Sequence, residues 1–150
     1  MRLLLLSISV LLPAVSLQAP AQDGGGREQH TYTVIINNTC RQDIDVAIHY
    51  RDPELGWVTR GWWHAGGGSE VTTGLQSDHF QFFMHGETGG RKQWPPAKSS
   101  KPYQHFGIIK GEDFLFTDKD SGNRADTVTV PFSLKEVSPE SPGLKARFDC

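Results

Sequence analysis

Gly56-Trp57-Val58-Thr59-Arg60-Gly61-Trp62-Trp63 packs three of the chain's four tryptophans into a single short run. Immediately upstream, Asp43 to Arg51 alternates Ile44, Val46, Ile48 and Tyr50 with Asp45, Ala47 and His49. That period of two is the signature of a half-buried strand. Between the two runs, Arg51-Asp52-Pro53-Glu54-Leu55-Gly56 has turn chemistry, with Asp and Pro to start the reversal and Gly to finish it. The two runs therefore read as a β-hairpin. Outward from it lie Thr31 to Asn37, Ser69 to Leu75, His79 to His85, Tyr103 to Lys110, Glu112 to Asp118, Asp126 to Phe132 and Leu144 to Phe148. Each is short, rich in β-branched or aromatic residues, and bounded by Gly, Pro, Asn or Asp. Tyr103 to Lys110 and Glu112 to Asp118 read as a second hairpin around Lys110-Gly111. About nine short strands, no sustained helical period and no internal repeat predict one all-β domain over residues 31–150, an antiparallel β-sandwich or a barrel-like fold.

Parity divides the tryptophan strand into two faces. Trp57, Thr59, Gly61 and Trp63 carry no charge and are expected to face the core, with Gly61 making room between indoles. Val58, Arg60, Trp62 and His64 form the other face. Arg60 two residues from Trp62 suits a cation–π pair. Pairing with the upstream strand would place Asp45, His49, Arg60, Trp62 and His64 on one outer surface. A flat indole flanked by carboxylate and imidazole fits a sugar ring, whose C–H groups stack while its hydroxyls take hydrogen bonds. These five residues are the candidate binding site.

The first residues read as an export signal. Arg2 precedes a nearly unbroken apolar run from Leu3 to Leu12, and Ala19-Pro20-Ala21 supplies the small-x-small pattern, so cleavage is expected after Ala21. The run is too short, and too broken by Ser7, Ser9 and Pro13, for a membrane anchor. Residues 22–30, with Gly24-Gly25-Gly26, read as a flexible leader. In an oxidising compartment the two cysteines, Cys40 and Cys150, are expected to pair. The formal net charge of −2 provides no global attraction to nucleic acid or anionic membrane.

The run Val46-Ala47-Ile48-His49-Tyr50, then Gly56-Trp57-Val58, then Gly61-Trp62-Trp63, resembles an uncharacterised bacterial family called domain of unknown function 1036. The resemblance covers roughly Asn38 to Ser69. It implies a small exported β protein, periplasmic or extracellular, and no particular activity. Family members often carry Pro-Gly and Cys after the tryptophans, where this chain has Gly66-Gly67-Gly68-Ser69. No family cysteine pairing is therefore carried over.

A second candidate is the stretch from Gly86 to Pro102, which has no strand signal and is long for a connection in a compact domain. It sets Arg91, Lys92, Lys98 and Lys101 around Trp94, with Glu87 as its only acid. A basic loop with an exposed indole could meet an anionic glycan, a headgroup or a partner protein. The six histidines form no His-x-His motif and the two cysteines no CxxC motif, so neither a metal site nor a cofactor is expected. Asp118 to Asp126 reads as a polar turn. No G-x-S-x-G, H-E-x-x-H or phosphate-binding glycine loop is present. The expected function is exported, non-catalytic binding of a glycan or cell-envelope component. A protein–protein or inhibitor module using the Arg91, Lys92, Trp94 loop is the first alternative, and a small secreted hydrolase is the second.

Overall fold

The computed structural model describes residues 30–89, 92–95, 103–120, 125–136 and 143–150. The expected signal segment and leader, to residue 29, and Arg91, Lys98 and Lys101 of the basic stretch lie outside them. Ten strands run in chain order: β1 Tyr32–Asn38, β2 Ile44–Asp52, β3 Gly56–Ala65, β4 Glu70–Ser77, β5 Gln81–Thr88, β6 Lys92–Trp94, β7 Tyr103–Ile108, β8 Phe114–Thr117, β9 Val128–Glu136 and β10 Gly143–Phe148. They form a three-stranded sheet, β10-β1-β4, and a seven-stranded sheet, β7-β9-β5-β2-β3-β8, with β6 added on β5. The domain is all-β, and the larger sheet curls into a half-barrel.

The β2–β3 hairpin forms as expected, with Tyr50 opposite Val58 and Asp52 opposite Gly56. Gly56 closes the turn at φ 77°, a conformation that only glycine adopts without penalty. The Asp52 carboxylate accepts hydrogen bonds from the backbone N–H groups of Glu54 and Leu55. Two expectations are corrected. Tyr103–Ile108 and Phe114–Thr117 are not a hairpin: β7 pairs with β9 and β8 with β3, so they form opposite edges of the curled sheet. The stretch after Gly86 is not strandless, since β5 continues to Thr88 and β6 folds back on it. One pairing, β1 with β10, is parallel.

Strand β2 serves two cores. Ile44, Val46, Ile48 and Tyr50 join Val34, Ile36, Phe82, Leu144 and Phe148 in the layer between the sheets. Ala47 faces the other way, into the hollow of the curled sheet, where Ile108, Ile109, Phe114, Phe116, Val130 and Phe132 form a second cluster. Each fully buried Phe or Ile contributes about 1.5–3 kcal/mol through the surface it removes from water. The chain end is tied down by a Cys40–Cys150 disulfide, with Cα atoms 5.3 Å apart. Beside it, the Thr39 N–H donates to the Phe148 carbonyl at 3.1 Å. The peptide bonds Gly61–Trp62 and Trp94–Pro95 are cis.

Candidate functional site around Trp62

A register shift in β3 builds the site. Val46 lies opposite Trp63, but the next residue, Ala47, lies opposite Gly61. Trp62 is the extra residue of a β-bulge, and parity reverses across it. Before the bulge, Trp57, Thr59 and Gly61 face the hollow of the curled sheet; after it, Trp62 and His64 do. Arg60 and Trp63 turn to the opposite side, because they pair with Ile48 and Val46. Their cation–π contact, 5.7 Å from guanidinium carbon to ring centroid, is therefore between Arg60 and Trp63 rather than Arg60 and Trp62.

Four of the five expected residues, Asp45, His49, Trp62 and His64, thus share one face, and Arg60 leaves it. That face is not an open surface. His49 is 4% exposed, stacked between Trp57 at 5.1 Å and Phe106 at 3.8 Å, with Nδ1 3.0 Å from the Thr59 hydroxyl. Burial pushes its imidazole down from 6.5 to about 4, so it is neutral at pH 7. Its role is in the core. Gly61 makes room for Phe114 and Ala47, whose atoms would lie 3.0–3.1 Å from an added Cβ, rather than for two indoles.

Trp62 is half-buried. Its indole N–H donates to the Ile109 carbonyl at 2.8 Å, and its ring meets Phe114 and His85 edge-on, at 5.8 and 6.2 Å. Ile109 sits where the chain leaves the β7 edge to reach the β8 edge, so the connection arches over the indole. Gly111, Glu112 and Asp113 of that arch face Asp45, Glu87 and Trp62 across a cleft of about 240 Å³. A second cleft of about 420 Å³ is lined by Arg60, Trp63, Phe114 and Leu115, and shares Trp62 and Asp113 with the first. The Asp113 carboxylate accepts from the Trp62 backbone N–H at 3.3 Å.

Comparison with protein-family profiles, curated proteins and solved structures finds no match.

The electrostatics of the first cleft are acidic. Asp45, Glu87, Glu112 and Asp113 line it. Lys110 Nζ is 3.6 Å from Glu87, and His64 Nδ1 is 3.0 Å from Asp45. The hydrogen bond that the imidazole donates to Asp45, then the charges of Asp45 and Asp43, raise His64 above its ordinary value. Behind the cleft, His85 is fully buried, and its Nδ1 lies 2.9 Å from the Pro131 carbonyl. A carbonyl can only accept, so Nδ1 carries the proton. Nε2 then presents a lone pair with no hydrogen-bond partner, 3.7 Å from the Glu87 carboxylate. Burial, the larger influence, holds His85 below its ordinary value.

The basic-loop site is corrected too. Trp94 is 9% exposed; its N–H donates to the Asp149 carbonyl at 3.1 Å and its ring packs edge-on against Phe148. Lys92 lies over that ring at 4.7 Å. This indole fastens the chain end and is not presented to a partner. Among the described residues, no three His, Cys, Asp or Glu side chains converge on a possible metal position, and no helix is long and apolar enough to cross a membrane. Sequence reasoning missed Glu87, Glu112 and Asp113. Glu87 continues the parity of His85 along β5, which was a usable signal. Glu112 and Asp113 carried none, because their place depends on the arch between distant edges.

Proposed function

We propose that this protein is a non-catalytic binding module for a glycan, working outside the cytoplasm. One observation carries the reading: Trp62 and Asp113 form a common wall between two clefts, one lined by carboxylates and the other by Trp63, Phe114 and Leu115. Successive sugar rings could lie on either side of that wall. An indole offers an apolar face to sugar C–H groups, and ionised carboxylates are strong acceptors for hydroxyls. The Cys40–Cys150 disulfide supports an oxidising compartment. Export through the N-terminal signal, and a place in the bacterial family that the tryptophan run resembles, belong to the same proposal.

The test is a panel of neutral and charged oligosaccharides read by isothermal titration and by tryptophan fluorescence. Saturable binding to at least one glycan, with perturbed indole emission, is expected. It should be lost in Trp62→Ala and retained in Trp94→Phe. A panel with no binding, or binding indifferent to Trp62→Ala, overturns the reading.

A further inference from the structure

The register of the curled sheet contains a like-charge juxtaposition. Asp45 on β2 lies directly opposite Glu87 on β5, and Asp45 is also opposite His64 on β3. Like charges directly across a ladder are destabilising. Glu112 and Asp113, from the arch, then bring two more carboxylates to the same cleft. Among the described residues, Lys110 pairs with Glu87 and His64 with Asp45.

Glu87 is the inner member of this set. Its side chain is 17% exposed, and its Oε2 stands 3.6 Å from Lys110 Nζ and 3.7 Å from His85 Nε2. Both separations exceed a hydrogen bond. A largely buried carboxylate therefore rests within ion-pair range of two nitrogens, at more than hydrogen-bond length from each. Behind it, the fully buried His85 directs an unmatched lone pair at the same oxygen, toward the cleft wall that Glu87 forms. Two adjacent acceptors facing each other call for a donor, and four carboxylates call for positive charge. Among the described residues, no three His, Cys, Asp or Glu side chains are placed to hold a metal ion. The matching charge belongs on a body large enough to reach several carboxylates while covering the Trp62 ring.

Resting on the glycan reading above, we propose that the ligand is an amino sugar, with its free ammonium seated among Asp45, Glu87, Glu112 and Asp113 and its ring against Trp62. An ammonium carries three donors and no acceptor, so it can bond Glu87 and a neighbouring carboxylate at once. Charge-assisted bonds of this kind are roughly twice as strong as neutral ones. N-acetylation removes both the charge and two of the donors, and it adds bulk where the carboxylates converge.

The experiment compares oligomers of one hexosamine at matched length, fully deacetylated and fully N-acetylated, by isothermal titration at pH 6. An aliphatic diamine without a sugar ring is the third ligand. The deacetylated oligomer should bind at least about tenfold more tightly than the acetylated one, the equivalent of one charge-assisted bond. The preference should fall to within about threefold in Glu87→Gln/Glu112→Gln, and shrink as salt screens the exposed carboxylates. Circular dichroism of the double variant confirms its fold, and Glu112→Gln alone, at an exposed position, provides a second reading should the pair fail to fold. Equal binding of both oligomers, lost in Trp62→Ala, overturns the ammonium inference and leaves the glycan reading standing. Binding of neither oligomer overturns the amino-sugar inference, while the glycan reading is decided by the full oligosaccharide panel. Diamine binding as tight as that of the deacetylated oligomer also overturns the amino-sugar inference, since the ammonium alone would then account for the affinity.

Discussion

Replacing Trp62 by alanine measures how much of this residue holds the fold and how much is free for a ligand. The indole is half-buried, its N–H donates to the Ile109 carbonyl at 2.8 Å, and its ring meets Phe114 and His85 edge-on. A fully buried aromatic truncated to alanine costs about 3–5 kcal/mol. Half of that range, plus about 1 kcal/mol for the hydrogen bond, sets the expected loss near 3 kcal/mol. Urea unfolding followed by far-UV circular dichroism is the assay, because it does not depend on the missing fluorophore. Trp62→Phe separates the terms: it keeps a ring against Phe114 but leaves the Ile109 carbonyl without its donor, and should cost about 1 kcal/mol. A second readout comes from His85, which the indole helps to keep dry. Removing the indole hydrates that imidazole, so its protonation midpoint should move up toward the ordinary value in a proton NMR titration. A stability change within about 0.5 kcal/mol of zero, the size of an ordinary surface substitution, would refute the packing role assigned here.

Three further expectations follow from the packing. The disulfide closes a loop with a sequence separation of 110, so Cys40→Ala/Cys150→Ala should lose about 4–5 kcal/mol in urea unfolding; a loss under about 1 kcal/mol would show that unfolded-chain entropy is not what the crosslink removes. A Cβ at Gly86 would overlap Phe148 and lie 3.1 Å from the Ile44 side chain, so Gly86→Ala should cost about 1–3 kcal/mol of overpacking, and an unchanged melting temperature contradicts that contact. His49 is held from 6.5 down to about 4, so its contribution is fully present above pH 6.5 and is lost as pH falls toward 4, an effect of about 3 kcal/mol. The buried His85 acts with the same sign. His49→Phe keeps a stacked ring and should flatten the decline in unfolding free energy between pH 6.5 and 4; an equally steep decline in that variant rules out His49 as its source.

The hairpin was legible because its cause is local. Alternation over Asp43 to Arg51 and turn residues over Asp52 to Gly56 are satisfied by neighbours in sequence, and the strands form where that pattern places them. The disulfide was legible for another reason: two cysteines allow one pairing. The second hairpin was misread because Lys110-Gly111 has good turn chemistry, and Gly111 does take a positive φ of 76°. The turn is local, but the partners of the strands it joins are chosen by sheet closure. Trp94 was misread as exposed because its neighbours in sequence are basic. Its neighbours in space are Phe148 and the Asp149 carbonyl, contributed by the far end of the chain.

The faces of the tryptophan strand show how narrow the margin is between reading a site and losing it. A one-residue slip moves every later side chain to the other face of a strand. Uninterrupted alternation puts Arg60 and Trp62 together and sends Trp63 inward. The bulge at Trp62 puts Arg60 with Trp63 instead, and turns Trp62 into the hollow of the curled sheet. The four residues correctly grouped owe their agreement to two different causes. Asp45 and His49 lie on β2, which carries no extra residue, and follow plain parity. Trp62 and His64 reach that face because the bulge reversed a parity whose starting assignment was itself inverted. The same bulge lies where β3 pairs with the edge strand β8, beside the arch that carries Glu112 and Asp113. Deleting Gly61 would close the ladder with Trp62 opposite Ala47, where Phe114 and Ala47 leave no room for an indole. That deletion should therefore displace the indole from the wall it shares with Asp113 and abolish ligand binding even in a chain that still folds.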